Sequence, residues 1–405
     1  GFCTATCPTY LLLGDELDSP RGRIYLIKDM LENERQPTEG VVRHVDRCLS
    51  CLSCMTTCPS GVHYMHLVDH ARAYIQARYR RPWHERMIRA LLAAVLPYPR
   101  RFRAALALAR LSRRTAPLFA RSAALRPLAA MLAMAPRTMP PAASARPSAV
   151  PSAKGRVALL AGCAEPVLRP EIRAATVRVL NRAGFDVVFA PGEGCCGALV
   201  HHMGEERAAL DAARRNVDAW TREIEGAGLD AIVITTSGCG TMIKDYGFLL
   251  RDDPQYAQKA ARVSGLARDV SEFLAEVDLP APVAGGLRVA YHAACSLQHG
   301  QKVTQAPVQL LARAGYEVAT PGEAHLCCGS AGTYNILQPE IAGRLGDRKV
   351  ANLEHLRPDV IALGNVGCAM QIARRTEVPV VHIVELLDWA GGGPRPPSLD
   401  GTDER

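Results

Sequence analysis

Fourteen cysteines carry the recognisable chemistry of this 405-residue chain, and the densest group places four of them within eleven residues. From Cys48 to Pro59, cysteines occur at positions 48, 51, 54 and 58, and the proline follows directly. Three thiolates spaced three residues apart lie on one tight loop and can converge on a small cluster. This run is typical of ferredoxins that bind two iron–sulfur clusters, whereas zinc sites usually pair two separated CxxC hooks.

A shorter motif, Cys3-x3-Cys7-Pro, opens the sequence and matches the second half of the later run. We therefore expect two further cysteines to precede Gly1 in a longer chain. In two-cluster ferredoxins the fourth cysteine of each run crosses to the other cluster. The motifs thus predict two crossed ligand sets for 4Fe-4S clusters. These are Cys7, Cys48, Cys51 and Cys54 for one cluster, and Cys3 and Cys58 with the two preceding cysteines for the other.

The segment between the two runs is long enough to form helices that support the cluster loops. Ser19 is a suitable N-cap and Pro20 a suitable first residue for one helix, and Ile24, Ile27 and Leu31 give it an apolar face. A second helix is expected over residues 61–78. These features predict an α-helical two-cluster ferredoxin domain over residues 1–80.

The remaining eight cysteines belong to an internal duplication. Residues 156–163 match residues 288–295, and in both copies one cysteine lies 32 positions before a Cys-Cys-Gly motif. Each copy then closes with a strand-like run and a further cysteine. Each set of four thiolates could hold an iron–sulfur cluster, a zinc ion or a redox dithiol, and the neighbouring ferredoxin domain favours clusters. The candidate sets are Cys163, Cys195, Cys196 and Cys239 in the first repeat, and Cys295, Cys327, Cys328 and Cys368 in the second.

Short apolar strands alternate with amphipathic helices in each repeat, which is typical of an α/β unit with a parallel sheet. The cysteines then fall at the carboxyl ends of strands, where such sheets place their ligands. We predict α/β cysteine-rich domains over 154–283 and 284–390, and a disordered tail over 391–405. Histidines near the motifs are expected to form hydrogen bonds rather than to bind metal. They are His44, His201, His202, His292, His299 and His325.

The formal charge of +8 is concentrated in one segment of the chain. Residues 80–154 contain fourteen Arg, one Lys and one Glu, a net charge of +14, which leaves about −6 for the rest. We predict a basic helical region over 81–153, with an apolar face that includes Ile88, Leu91 and Leu92 and a flexible linker from residue 139. We expect a solvated pair of inter-domain helices that packs on its neighbours. Its charge also suits an anionic membrane surface or an acidic partner. Nucleic acid is not expected, because no recognised binding module accompanies the charge.

Several classes of function find no support in the sequence. No apolar run approaches the eighteen or so residues of a membrane span, and no secretory signal pattern is present. No glycine-rich dinucleotide fingerprint or phosphate loop occurs. With this many cysteines, metal chemistry is favoured over disulfides. We expect a cytoplasmic protein that is peripheral at the inner face of the cytoplasmic membrane.

The chain resembles the iron–sulfur subunits of bacterial glycolate oxidase (glycolate dehydrogenase) along essentially its whole length. The resemblance is carried by residues 1–10, 19–28 and 48–62, by Ser237-Gly-Cys-Gly-Thr, and by residues 380–387. It implies an electron-transfer subunit that has no catalytic residues of its own. Flavin-containing partner subunits would oxidise glycolate to glyoxylate, and this chain would pass the electrons toward a quinone or membrane-linked acceptor.

Two other families share this architecture, namely the C subunit of anaerobic glycerol-3-phosphate dehydrogenase and heterodisulfide reductase-like proteins. In heterodisulfide reductases the comparable motifs end in CxxC, whereas the repeats here end Cys239-Gly-Thr-Met242 and Cys368-Ala-Met370. A hypothesis of a different class is that the Cys-Cys-Gly repeats form an assembly scaffold. The ferredoxin domain alone would then conduct electrons.

Overall fold

The computed structural model describes residues 1–122, 125–136, 138–141, 146 and 149–400. Its N-terminal part is helical, as predicted for a ferredoxin domain whose loops carry the cysteines. The helices are α1 (Phe2–Ala5), α2 (Pro8–Leu13), α3 (Pro20–Glu32), α4 (Glu39–Asp46), α5 (Ser53–Thr57) and α6 (Tyr64–Arg78).

Helix α3 begins as its sequence predicts. The Ser19 hydroxyl accepts a hydrogen bond from the Gly22 N–H at 3.0 Å, and Pro20 is the first helical residue. Ile27 lies in a buried apolar cluster with Val68 and Ile75 of α6. This packing joins α3 to α6, and Cys48 and Cys54 belong to the same cluster.

Four helices follow in the basic region, and the first of them packs on the first repeat. They are α7 (Trp83–Val95), α8 (Pro99–Leu111), α9 (Ala116–Ala120) and α10 (Arg126–Met134). Ile88 and Leu92 of α7 are buried in the core of the first repeat, as expected for a packed amphipathic helix. Leu91 departs from the predicted apolar face and is 43% exposed. It lies one position from Leu92, which is about 100° away around the helix.

The two repeats are α/β units whose strands occur in the same order. The first contains β1 (Gly155–Leu159), α11 (Glu165–Leu168), α12 (Pro170–Arg182), β2 (Phe185–Val188), α13 (Ala198–His202), α14 (Glu206–Glu225), β3 (Ala231–Ile234), α15 (Ser237–Lys244), α16 (Tyr246–Leu249), α17 (Ala257–Leu266), β4 (Ala267–Asp269) and α18 (Val270–Ala275). The second contains β5 (Arg288–His292), α19 (Ala306–Arg313), β6 (Glu317–Ala319), α20 (Tyr334–Leu337), α21 (Pro339–Glu354), β7 (Val360–Leu363), α22 (Val366–Ile372), β8 (Val380–His382) and α23 (Ile383–Ala390).

Both sheets are parallel, which confirms the predicted α/β architecture. The strand orders are β2-β1-β3-β4 and β6-β5-β7-β8, so the duplication in sequence is a duplication in topology. In the first sheet Val157 of β1 pairs with Val187 on one side and Ala231 on the other. The central strands β3 and β7 are completely buried, because helices cover both of their faces.

The repeats pack on each other through α12 and α23 and share one apolar core. Leu180 of α12 and Leu387 of α23 both belong to this core. At its edge the buried carboxylate of Asp388 accepts hydrogen bonds from Arg178 and Arg182 across the interface. The two cysteine sets are therefore held in one continuous body.

The ends of the cysteine-rich region are more ordered than predicted. The disordered tail was expected from residue 391, yet Pro397–Asp400 forms a 3-10 turn, and Ser398 is buried against Arg169 at 3.4 Å. Leu399 packs against the shared core, which explains the order of this segment. Residues 401–405 of the predicted tail, and 142–145 and 147–148 of the predicted linker, lie outside the described residues. Before β1, the Lys154 N–H donates to the Gly184 carbonyl at 2.7 Å.

Candidate metal centres

The cysteine loops of the ferredoxin domain surround one small cavity. Cys7 is the N-cap of α2, Cys48 and Cys51 lie in the loop before α5, and Cys54 lies in the first turn of α5. Four cysteines line the cavity, namely Cys7, Cys48, Cys51 and Cys54. Arg23 and Tyr64 also contribute to its lining. All four cysteines are buried, and all four line the same cavity. The fold therefore brings together the four residues that the sequence assigns to one cluster.

The spacing of these sulfurs fits a group larger than one metal ion. Four thiolates on a single zinc would lie about 3.8 Å apart, since each Zn–S bond is about 2.3 Å. Among the described residues, no three of these sulfurs lie within 4.8 Å of one another. A polynuclear cluster, which places its ligands around a larger volume, matches the arrangement better.

Hydrogen-bond donors are directed at the sulfurs. The Tyr64 hydroxyl and the Ser50 N–H both lie 3.5 Å from the Cys48 sulfur. A guanidinium nitrogen of Arg23 lies 3.9 Å from the Cys7 sulfur. Such donors stabilise thiolates and set the potential of a bound cluster.

Arg23 is the most deeply buried cation of the site, at 1% exposure. Its Nε donates to the His44 carbonyl at 2.6 Å, and Nη2 reaches the carboxylate of Asp18 at 3.3 Å. Burial alone would lower the pKa of Arg23, but the nearby thiolates of Cys48 and Cys7 raise it. The guanidinium therefore stays charged beside the cysteines. His44 bonds to Asp18 at 2.9 Å, which is the hydrogen-bonding role expected of it.

Cys3 and Cys58 lie on the side of the ferredoxin domain where α1 packs against α5. Both are partly exposed. Backbone N–H groups of Val62, Ser60 and Gly61 surround the Cys58 thiol and lower its pKa. A loop that favours a thiolate in this way suits a cluster ligand.

In the first repeat the cysteines lie beyond the carboxyl ends of strands, as predicted. Cys163 follows β1, Cys195 and Cys196 follow β2, and Cys239 lies in α15 after β3. Hydrogen bonds from Cys163 and Cys196 lower the pKa of the Cys195 thiol. The thiols are thus close neighbours around one position of the sheet.

Two polar side chains from distant helices hold the Cys-Cys turn of the first repeat. Asn216 of α14 donates to the Cys195 carbonyl at 3.1 Å, and the Tyr246 hydroxyl donates to the Cys196 carbonyl at 2.8 Å. Sequence reasoning missed both residues. Neither lies near a cysteine motif, and only the packing of α14 and α16 brings them to the turn.

The second repeat places its cysteines after the corresponding strands, but different side chains bond to its Cys-Cys turn. Cys295 follows β5, Cys327 and Cys328 follow β6, and Cys368 lies in α22 after β7. The sulfurs of Cys295 and Cys327 are 3.6 Å apart. Hydrogen bonds from Cys327 and Cys368 lower the pKa of Cys328, whose carbonyl accepts from Gln371 at 3.2 Å.

The glycine of each Cys-Cys-Gly motif is required by the backbone. Gly197 and Gly329 both have φ of +87°, in the left-handed region that favours glycine. A Cβ atom on Gly329 would lie 2.6 Å from the carbonyl oxygen of Ala342 in α21. Each glycine therefore lets its turn pack directly against a long helix of its own repeat, α14 for Gly197 and α21 for Gly329.

The ferredoxin domain is packed against both repeats. Cys51 belongs to the same buried apolar cluster as Cys327, and Cys295 packs against that cluster. The Thr56 hydroxyl bonds to the His299 ring at 2.8 Å. On the other side, His202 of the first repeat lies 3.4 Å from the buried carboxylate of Asp69. The cluster loop thus lies next to the cysteine set of the second repeat.

Asp69 organises the contact between α6 and the first repeat. Burial alone would raise its pKa, but hydrogen bonds from His201 and His202 hold the pKa well below the usual range. Arg72 adds a further contact to the same carboxylate at 3.4 Å. These histidines form hydrogen bonds, as expected, and they join the two domains.

Comparison with known families agrees with this division of the chain. A model of the 4Fe-4S dicluster domain family matches residues 1–62, and a model of the cysteine-rich domain family matches residues 157–244 and 289–373. Fold and site together define an iron–sulfur protein that joins a dicluster ferredoxin domain to two cysteine-rich domains.

Relatives that match almost the whole chain identify its family within this class of iron–sulfur proteins. The chain is 43% identical, over 96% of its length, to the glycolate oxidase iron-sulfur subunit of Escherichia coli (strain K12), of which it covers 92%. It is 33% identical, over 97% of its length, to a probable glycolate oxidase iron-sulfur subunit of Bacillus subtilis (strain 168), of which it covers 93%. The chain therefore belongs to the family of glycolate oxidase iron-sulfur subunits.

One solved structure shares the fold. A hypothetical protein from Helicobacter pylori matches 95% of this chain and 70% of its own, with a TM-score of 0.57 at 11% sequence identity. At this identity the likeness shows the architecture alone.

Proposed function

We propose that this chain is the electron-transfer subunit of a glycolate-oxidising complex. Flavin-containing partner subunits oxidise glycolate to glyoxylate, and this chain carries the electrons toward a quinone-linked acceptor. The observation that supports this role most directly is the buried cavity lined by Cys7, Cys48, Cys51 and Cys54, with donors directed at its sulfurs. Family membership adds the link to glycolate.

In this proposal the crossed ligand sets of the ferredoxin domain hold two 4Fe-4S clusters, which supply one-electron chemistry when bound. The first set is that of the buried cavity, and the second includes Cys3 and Cys58. The four cysteines of each repeat form two further metal-binding sets. The set of the second repeat lies against the ferredoxin domain, where Cys295 packs on the apolar cluster that contains Cys51, so a metal bound there would support the cluster loop.

Reconstitution tests the electron-transfer role. The flavin subunits are mixed with glycolate and a water-soluble quinone analogue, with and without this chain. We expect rapid quinone reduction only when the chain is present, and no glycolate turnover by the chain alone. The Cys51→Ser variant should abolish quinone reduction while glycolate still reduces the flavin. Equal quinone reduction without the chain would refute the proposal.

The iron content of the purified chain separates the relay from the scaffold hypothesis. Anaerobic purification followed by iron and sulfide analysis measures how much cluster each variant retains. If serine replacement of Cys195 and Cys196 leaves the iron content unchanged, the first repeat acts as a scaffold. A fall in iron content supports a cluster at that repeat.

Peripheral attachment to a membrane belongs to the same proposal. Trp83, Met87 and Leu91 lie at successive turns of α7 and are 67%, 53% and 43% exposed. Arginines of the strongly basic segment flank this stripe, and Arg86 and Arg100 are exposed. An apolar stripe beside cationic side chains is typical of helices that lie on anionic lipid. Among the described residues, no helix is both long enough and apolar enough to cross a membrane.

Vesicle flotation tests the attachment. We expect binding to vesicles that contain phosphatidylglycerol, weaker binding at high salt, and little binding to neutral vesicles. Serine at positions 83, 87 and 91 together should abolish it. Tyr25→Ser, which changes a 75% exposed aromatic residue of the ferredoxin domain, is the matched control and should bind normally. Binding that ignores both salt and the triple substitution would rule out this surface.

A further inference from the structure

His292 differs from the other buried histidines near the cysteine motifs. His44, His201 and His299 all form hydrogen bonds through their rings. His292 ends β5 and is only 1% exposed; its ring nitrogens bond to no oxygen or nitrogen of the described residues, and the group that faces the ring is the Cys328 thiol. The imidazole therefore meets a thiol instead of the oxygen partners that the other histidines have.

Two thiols lie within reach of this ring. A ring nitrogen of His292 and the sulfurs of Cys328 and Cys368 all lie within 4.8 Å of one another, and all three residues are buried. Around a tetrahedral zinc ion, with bonds of about 2.3 Å to sulfur and about 2.0 Å to nitrogen, such atoms lie about 3.5–3.8 Å apart. Side-chain rotation can bring the three ligand atoms to these separations, and the fourth tetrahedral position is left for a water molecule.

The first repeat lacks this arrangement. Leu160 corresponds to His292, because each lies three residues before the first cysteine of its repeat. Leu160 is 4% exposed and packs in the apolar core. Among the described residues, the first repeat contributes no comparable group of three ligand atoms. In the described part of the chain, only the second copy of the cysteine motif therefore places a ring nitrogen beside its thiols.

We propose that the second repeat binds one zinc ion through His292, Cys328 and Cys368. Imidazole together with thiolate is a ligand set that zinc prefers. The buried Lys349 lies near these cysteines, and its Nζ donates to the Glu323 carbonyl at 2.8 Å. Because zinc has no redox chemistry in proteins, this ion braces the Cys-Cys turn beside the ferredoxin loop and carries no electron itself.

This site deepens the proposal that the second repeat binds metal, and it can be tested apart from the electron relay. The full chain is purified anaerobically, and zinc and iron are measured per chain by mass spectrometry. His292→Leu copies the residue of the first repeat and should lose about one zinc per chain. His355→Leu, at an exposed histidine of the same repeat, is the control and should keep it.

A second variant and a second measurement test whether the side chain at position 292 binds the metal. His292→Cys retains a ligand and should keep the metal, and after cobalt replaces zinc its thiolate-to-cobalt charge-transfer band should intensify relative to wild type. Electron paramagnetic resonance of the ferredoxin clusters reports whether each variant is folded, and these signals should be unchanged. A wild-type chain without zinc, zinc that persists in His292→Leu, or a loss of iron instead of zinc would each overturn the assignment. The electron-transfer proposal would survive all three results.

Discussion

Replacing Arg23 by glutamine should lower the reduction potential of the cluster proposed at Cys7, Cys48, Cys51 and Cys54. Arg23 is 1% exposed, and its guanidinium lies 3.9 Å from the Cys7 sulfur. A positive charge stabilises the reduced, more negative form of a cluster. Its removal therefore favours oxidation and shifts the potential downward.

The size of the shift follows from Coulomb's law. The added electron spreads over the cluster, so we take an effective separation of about 6 Å and an effective dielectric constant of about 20. The interaction is then about 2.8 kcal/mol, which corresponds to about 120 mV for a one-electron couple. The fold should survive, because Asp18 keeps hydrogen bonds from His44 and Arg47.

A redox titration monitored by electron paramagnetic resonance measures the shift. Arg23→Lys keeps the charge and should stay close to wild type. Arg21→Gln removes an exposed charge from the same helix, with a side chain that is 62% exposed, and should change little because solvent screens it. An unchanged or raised potential in Arg23→Gln, with full iron content, would refute the assignment of the cluster to this cavity.

Three further predictions concern ligand crossing, backbone geometry and pH. Cys7→Ser should damage the cluster built on the distant loop at residues 48–54, and Cys58→Ser should damage the cluster that includes Cys3. Electron paramagnetic resonance of the reduced variants measures both effects. Gly329→Ala should cost about 1–3 kcal/mol in thermal unfolding, because its Cβ would meet a carbonyl oxygen of α21 at 2.6 Å. Gly332→Ala, at φ of +57° with open space around the position, should cost less. Burial of His382 lowers its pKa to about 4, so protonation below the unfolded value of about 6.5 favours unfolding. Between pH 7.5 and 5.5 this residue should remove about 1.3 kcal/mol of stability, measured as the difference between wild type and His382→Gln in urea unfolding.

Each of these predictions has an outcome that contradicts it. If each cysteine variant loses the signal of the cluster nearest in sequence, the ligand sets do not cross. Equal losses in the two glycine variants would show that positive φ, rather than contact with α21, decides the cost. If the wild type and His382→Gln lose the same stability on acidification, His382 is not the titrating group.

Local spacing was enough to predict the chemistry of this chain. The run from Cys48 to Pro59 indicates a cluster loop, and the 32-residue interval before each Cys-Cys-Gly motif reveals the duplication. Ser19 and Pro20 likewise mark the start of α3 correctly. Such features are visible because ligand geometry, helix capping and strand alternation depend on residues that are close together in the chain.

Only the tertiary structure decided which distant groups meet. Before folding, His292 looks like the other histidines, and its ring comes to lie beside Cys328 and Cys368 only when β5, β6 and β7 assemble. Arg23 is one of 48 basic residues in the sequence, yet only α3 packing buries it beside Cys7. The buried turn at Pro397–Asp400 depends on Arg169, more than 220 residues away. Contacts of this kind depend on how whole elements pack, and a one-dimensional pattern carries no record of the distances between them.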